Sequence, residues 1–335
     1  MKKIALIYTG GTIGMQRNEQ GKLAPVNFDA LRQHIPSLEL LPVELDVQTV
    51  EKPIDSSDMQ PSYWVDLVER IERGYSMYDG FVVLHGTDTM AFTASALSFM
   101  LRGLDKPVIM TGSQLPVGVL RTDAVENLLS AIEFAALEGP DGQPIIREVA
   151  VYFEYKLYRG NRVYKRSSNE FDAFSSPNYP PLAESGVNIT VNNDLLLEPH
   201  APLTVHKQLG TGVGVITLYP GLDYSSLPVL DHWRVLLIRT FGAGNVPSSA
   251  EFESYLQRLG KNGTIIVNTS QCVSGSVRPG LYHSSLEGRG YKVLSAKDMT
   301  FESAIVKAMV LLGEVLSADE FDVKFTASLC GELTD

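Results

Sequence analysis

Two threonine-bearing turns hold the residue types that acyl-transfer chemistry needs. Thr9-Gly10-Gly11-Thr12-Ile13-Gly14 follows the apolar run Lys3–Tyr8, and His85-Gly86-Thr87-Asp88-Thr89 follows Gly80–Leu84. A threonine hydroxyl is a poor nucleophile until a neighbour takes its proton. Asp88 stands beside Thr87, where it caps the next helix, orients a base or holds a substrate ammonium. Glycine beside Thr12 lets backbone N–H groups approach a developing oxyanion. A base is available in the one dense basic segment, Lys156–Arg166, if burial neutralises one of its lysines; the sequence does not choose among them. Nucleophile, proton acceptor and oxyanion donors are what amide hydrolysis requires.

These residues need a scaffold that brings distant turns together. Short, continuously apolar runs recur, each ending in a Gly-rich polar turn and usually followed by a helical pattern. Gly80–Leu84 leads to a helix over 90–101, Pro107–Met110 to Thr111-Gly112-Ser113-Gln114 and a helix over 123–137, and Glu148–Phe153 is a further strand. In the second half Gly212–Tyr219, Arg234–Ile238 and Gly263–Val267 repeat the plan, with helices over 249–259 and 303–316. Unbroken apolar strands alternating with helices predict an α/β fold with parallel sheets covered on both faces. The Asn-, Pro- and Asp-rich stretch Val187–Val205 marks the join. The expectation is a larger, Rossmann-like N-terminal domain over 1–190, a linker over 191–209 and a smaller α/β domain over 210–335. Parallel sheets bind ligands at the carboxyl ends of their strands. Here those ends carry Thr9, Thr12, Ser56, Ser57, Thr87, Thr89, Thr111 and Ser113, with Asp55, Asp58 and Asp88 among them. Such a lining suits a small, polar, zwitterionic molecule.

Composition closes off other classes. The chain has 335 residues, 44% hydrophobic and 20% charged, an ordinary globular make-up. A net charge of −11 opposes nucleic-acid binding. Two cysteines and six histidines suggest neither a disulfide scaffold nor a metal site, and no cofactor is expected. The Gly10-Gly11-x-x-Gly14 spacing leads into a polar loop holding Gly21 and Pro25, not into a helix, so it does not read as a dinucleotide fingerprint. His85, alone after an apolar strand, reads as a packed, hydrogen-bonded residue. The apolar run at the N-terminus is too short for a signal peptide and no stretch is long enough to span a bilayer, so a cytoplasmic protein without a membrane partner is expected.

Thr9-Gly-Gly-Thr-Ile-Gly14, Asp55-Ser-Ser-Asp-Met59 and His85-Gly-Thr-Asp-Thr-Met90 together resemble the bacterial L-asparaginases, nearly end to end. Asp55-Ser-Ser, Arg159-Gly-Asn-Arg and Phe241-Gly-Ala-Gly-Asn245 are most similar to the cytoplasmic, type I branch. The resemblance implies hydrolysis of L-asparagine to L-aspartate and ammonia, with Thr12 as nucleophile and a β-aspartyl-enzyme intermediate. It implies a second cluster of Thr87, Asp88 and Lys165, in which lysine and aspartate polarise the threonine. Gly11, Asp55, Ser56, Ser57, Gly86, Thr87, Asp88 and Ser113 match substrate-binding positions, Ser113 near the reacting carboxamide. A homo-oligomer, a dimer of dimers, is implied as well. Arg239, Asn245, Ser270 and Cys272 resemble part of an activating asparagine site found in some type I members.

Two positions depart from that pattern. Lys22 stands where many relatives carry a tyrosine beside the nucleophile, so no tyrosine from that position assists Thr12. Tyr164 stands where an activated relative has a small hydroxyl residue, inside the expected regulatory site. The enzymatic rivals are a glutaminase-leaning amidase and the tRNA-linked amidotransferase subunit, whose extra domain before the first strand is not expected here. A non-catalytic amino-acid binding protein is the rival from another class.

Overall fold

The computed structural model describes residues 1–17, 23–25, 33–198, 201–280, 285–286 and 292–334. The chain divides into two units, Met1–Lys207 and Gln208–Asp335.

In the first unit, β1 (Lys2–Gly10) is followed by a short hairpin, β2 (Met15–Arg17) with β3 (Leu23–Pro25), then by β4 (Val43–Ile54), α1 (Pro61–Gly74), β5 (Gly80–Leu84) and α2 (Met90–Met100). After β6 (Leu101–Arg102) come β7 (Val108–Thr111), α3 (Ala124–Ala136) and β8 (Val149–Phe153). The chain then lays down β9 (Lys156–Arg159), β10 (Tyr164–Lys165), β11 (Phe174–Ser175), β12 (Ala183–Ser185), β13 (Ile189–Val191) and β14 (Thr204–Val205). Among the described residues, eight of these strands make one sheet in the order β13-β12-β9-β8-β7-β5-β1-β4. Neighbours from β4 through β8 run parallel, while β9, β12 and β13 extend the sheet antiparallel.

Every residue of β5, β7 and β8 is buried, which is why these strands are apolar without alternation. Helix α1 begins on Pro61 and buries Trp64, Leu67, Val68 and Ile71, one stripe at helical spacing. On the face that carries Ile4, Leu6, Val82 and Leu84, α3 contributes Leu128, Ala131, Ile132 and Ala135. Strand order reverses between β1 and β5, the topological switch point at which open α/β sheets take their ligands.

Most of the stretch expected as a linker over 191–209 falls in the first unit, which runs to Lys207. β13 pairs with β12 at the sheet edge, β14 pairs with β6, and the Leu197 N–H donates to the buried Glu148 carboxylate at 2.9 Å. Lys207, the last residue of the first unit, pairs with Glu72 of α1 at 2.5 Å. Asn193 and Asp194 form a short turn over Asn193–Leu195, a use that composition does not separate from linking.

The second unit holds β15 (Val213–Thr217), β16 (Val235–Thr240), α4 (Ala250–Lys261), β17 (Ile265–Ser270), β18 (Val293–Ser295), α5 (Phe301–Gly313) and α6 (Ala318–Thr326). Its sheet is parallel in the order β15-β16-β17-β18. Alternate residues of β16 serve opposite faces. Leu236 and Ile238 pack with Phe252, Tyr255, Leu256 and Leu259 of α4, while Val235 and Leu237 pack with Ala304, Ala308 and Leu311 of α5 and Phe321 and Phe325 of α6. Ser249, Thr300 and Ser317 cap the three helices with their hydroxyls. Both units are thus α/β with parallel-dominated sheets, as the strand and helix pattern predicts. Among the described residues no helix is long and apolar enough to cross a membrane.

Candidate active site

Close backbone approach builds the site at the β1/β5 switch point. Gly10 and Gly11 have φ of +120° and +85°. A Cβ on Gly10 would lie 2.2 Å from the Ile54 carbonyl oxygen, and one on Gly11 would lie 2.4 Å from the Gly86 nitrogen. Glycine is therefore the only residue that lets the end of β1 close on the end of β4 and on the turn after β5. Thr12 opens a short 3₁₀ turn over Thr12–Gly14. That turn is held by Gly14 N–H to Gly11 C=O at 3.2 Å, by the buried Tyr8 hydroxyl to Gly14 C=O at 3.2 Å, and by Val117 N–H to Ile13 C=O at 3.2 Å. Thr12 is half-buried, and nothing among the described residues holds its hydroxyl.

Asp55 follows β4 and accepts from the Ser57 backbone N–H at 2.9 Å and the Ser57 hydroxyl at 3.0 Å. Ser56 is buried against Gly86, where a Cβ would come within 2.5 Å of its hydroxyl oxygen. The Thr89 hydroxyl donates to the Ser56 carbonyl at 2.7 Å, which ties the Asp55 turn to the Thr87 turn. Lys165, on β10, donates to the Thr87 hydroxyl at 2.7 Å and to the Asp88 carboxylate at 2.6 Å. Thr87 is 6% exposed, the Lys165 side chain 16% and the Asp88 side chain 62%. Thr87 in turn donates to the Gln114 side-chain oxygen at 3.3 Å. Its oxygen receives one proton from lysine and directs its own at an amide, so the hydroxyl is oriented on both sides.

Ser113 is buried with its hydroxyl committed to the Leu115 carbonyl at 2.6 Å. The same turn is fastened from below by Asp123, which accepts from the Gln114 and Leu115 N–H groups at 2.8 and 3.0 Å. Asn127 adds bonds to Gly112 C=O at 3.0 Å and to Asp123 at 3.2 Å. Burial pushes the Asp123 carboxyl up from its ordinary value against the pull of those donors. Sequence reasoning missed Gln114, Asp123, Asn127 and Tyr8 in these roles. Gln114 directly follows Ser113 and was open to inspection; Tyr8 closes an apolar strand and reads as core, and Asp123 reads as a helix start.

Gly11, Thr12, Asp55, Ser56, Ser57, Gly86, Thr87, Asp88, Ser113 and Lys165 thus all lie in the first unit, on turns after β1, β4, β5 and β7 and on β10. Lys22 lies outside the described residues. Among the described residues no group of three or more His, Cys, Asp or Glu is placed to hold a metal ion.

The residues read as regulatory lie in the second unit. Arg239 and Ser270 sit near the carboxyl ends of neighbouring strands, where Arg239 pairs in register with Thr269 and Thr240 with Ser270. The Arg239 guanidinium stacks over Phe301, 4.5 Å from its centroid, and its Nε is buried without a hydrogen-bond partner. Asn245 exchanges backbone bonds with Phe241 at 2.8 and 3.0 Å, closing the turn after β16. The Ser270 hydroxyl bonds Gly242 C=O at 2.6 Å and receives the Cys272 N–H at 2.9 Å, and Cys272 is exposed. Tyr164 belongs to the first unit, paired with Ser175 between β10 and β11.

Residues 3–197 match the family model "Asparaginase, N-terminal", and residues 212–325 match "Glutaminase/Asparaginase C-terminal domain". L-asparaginase 1 of Escherichia coli is 42% identical, covering 99% of this chain and 98% of that protein. A 60 kDa lysophospholipase of mouse is 38% identical over 99% of this chain and 63% of its own length. The crystal structure of L-asparaginase I from Vibrio cholerae superposes with a TM-score of 0.87 at 38% identity, covering 99% of each chain.

Proposed function

The chain belongs to the asparaginase family, and we propose that it hydrolyses L-asparagine to L-aspartate and ammonia. The observation that carries this reading is the convergence, at one switch point, of the half-buried Thr12 and a second threonine gripped by lysine. Asp55 and the Ser56–Ser57 turn receive the zwitterionic end of the substrate, with the exposed Asp88 carboxylate facing the ammonium. Thr12 Oγ attacks the side-chain carboxamide carbon, and its proton leaves through the polar cluster. As the tetrahedral adduct collapses, the C–N bond breaks and the departing nitrogen takes a proton, giving ammonia and a β-aspartyl ester on Thr12. Water then adds to the ester carbon, the C–O bond to Thr12 breaks, and aspartate leaves with the threonine reprotonated. The Lys165–Thr87–Asp88 cluster carries the protons. Gly11 and Gly86, bare of side chains, let backbone N–H groups meet the oxyanion.

Ammonia release from L-asparagine and L-glutamine, measured side by side, tests the substrate. Asparagine is expected to give the higher kcat/KM, and a glutamine preference makes the chain a glutaminase-leaning amidase. Thr12→Ala is expected to remove turnover with the fold intact, and wild-type kcat in that variant rejects Thr12. No turnover of either amide by the wild type leaves a binding protein. We further propose a cytoplasmic homo-oligomer, a dimer of dimers, and an asparagine-binding regulatory site at Arg239, Asn245, Ser270 and Cys272. The buried, unpartnered Arg239 Nε supports the regulatory reading, because a guanidinium with free donors suits a carboxylate.

A further inference from the structure

His85 is wholly buried directly after β5, and its ring touches two polar groups, one on each nitrogen. Its Nδ1 lies 2.7 Å from the Gly86 carbonyl oxygen, and its Nε2 lies 2.9 Å from the Thr93 hydroxyl on α2. The Trp64 indole on α1 donates to that same hydroxyl at 3.0 Å. The two ends of the series fix its direction. An indole N–H only donates and a carbonyl oxygen only accepts. Nδ1 must therefore carry hydrogen. Burial lowers the ring's pKa to about 4, so at neutral pH it holds one N–H and Nε2 is an acceptor. Thr93 receives from Trp64 and passes its own proton to Nε2.

The end of this chain is the peptide linking Gly86 to Thr87. A trans peptide points its N–H opposite to its C=O, so pinning the Gly86 oxygen to the buried ring turns the Thr87 N–H the other way. That N–H has no partner among the described residues. Gly86 is also the residue on which Gly11 and Ser56 close.

We propose that His85 is a positioning residue for turnover: locked as the Nδ1–H tautomer by the one-way chain Trp64 to Thr93 to His85 to Gly86, it orients the Gly86–Thr87 peptide at the reacting carbonyl. The role in turnover rests on the site reading above; the tautomer does not.

The test uses the full-length protein with ¹⁵N-labelled histidine and the variants Thr93→Val and Thr93→Ser. The wild-type ring is expected to show a pyrrole-type Nδ1 and a pyridine-type Nε2 at neutral pH. Thr93→Val keeps the volume but removes the donor to Nε2. Its kcat on L-asparagine is expected to fall about 10- to 100-fold, the scale of a misplaced reacting group, with KM nearly unchanged. Thr93→Ser restores the donor and most of kcat. Should Thr93→Val fail to fold, His85→Asn and His85→Leu replace it. The asparagine amide reaches the Nδ1 position and still donates to Gly86, so it should exceed leucine in kcat by about tenfold. A pyridine-type Nδ1, wild-type kcat in Thr93→Val, equal loss in valine and serine, or equal loss in asparagine and leucine overturns the proposal. The nitrogen spectrum reads the same in Thr12→Ala, so a wrong nucleophile and a wrong tautomer give different results.

Discussion

Lys165 binds two oxygens whose surroundings differ, and the difference decides what its loss does. Asp88 is mostly exposed, so water replaces the lysine there at small cost, as for surface ion pairs generally. Thr87 is buried, so water does not replace the donor to its hydroxyl so easily. Lys165→Met is therefore expected to leave folding nearly intact while lowering kcat at least about 10²-fold, the lower range for loss of general acid–base function. Steady-state kinetics check this: a raised KM with unchanged kcat shows a binding role instead. His85 makes a second prediction, about pH. The groups bonded to its ring, Gly86 C=O and the Thr93 hydroxyl, do not titrate near neutrality, and burial is the leading cause of its low pKa. Folded at about 4 against about 6.5 unfolded, the ring is neutral in both states at high pH and its neutrality costs nothing there. As pH falls below about 6.5 the unfolded chain takes the proton first, so stability drops until about pH 4, by about 3 kcal/mol in all. Urea unfolding at pH 7 and pH 4.5 measures this, and His85→Asn should remove part of the difference. Equal loss in both proteins assigns the acid sensitivity elsewhere.

At the scale of elements, the site is a set of turns whose clearances are set by missing side chains. Gly11, with φ +85° and ψ 172°, occupies a region essentially reserved for glycine, which costs other residues about 1–3 kcal/mol. Gly11→Ala also drives a methyl into Gly86 backbone, so it is expected to lower both Tm and kcat; an unaffected kcat would separate the two turns. Turn chemistry after apolar runs made the threonine turns, the Asp55 loop and the parallel strands legible in the sequence. Other elements carried no such signal. The β8–β9 turn has positive φ at Glu154 and Tyr155, of 46° and 65°, where Asn-Gly is the usual mark, so the switch to antiparallel strands is silent. The pairing of β12, β13 and β14 involves two or three residues each, too few for a period. The C-terminal tail is fixed by a device that composition hides. Lys307 of α5 and Glu332 are both fully buried and bonded to each other, and Glu332 also accepts the Leu329 and Cys330 N–H groups at 2.8–3.0 Å. Lys307→Met strands that carboxylate and is expected to cost about 3–5 kcal/mol by denaturant unfolding. A cost near zero would mean the backbone donors alone suffice.

For the whole molecule the open matters are assembly and control. Light scattering at micromolar concentration should return a multiple of the monomer mass, and a monomer alone contradicts the proposed oligomer. The proposed control turns on Arg239. Its guanidinium carbon lies over the Phe301 ring, and its Nε has lost water without gaining a partner. An unpaired buried donor of this kind is costly, and a carboxylate accepting from it recovers the loss. Glu302 does not serve in that way: its carboxyl is pushed up by burial, with Arg239 only partly opposing the shift. An amino acid whose carboxylate takes the arginine would instead meet the Asn245 and Ser270 turns at neighbouring strand ends. If this site couples to the catalytic one, rate against asparagine concentration is sigmoidal, and typical couplings of about 1–3 kcal/mol shift affinity about 5- to 150-fold. The wild-type curve is expected to be slightly sigmoidal. Arg239→Ala should make any curvature hyperbolic without abolishing kcat. A hyperbolic wild type with no second asparagine bound in a saturated crystal rejects regulation and leaves Arg239 a stacking residue.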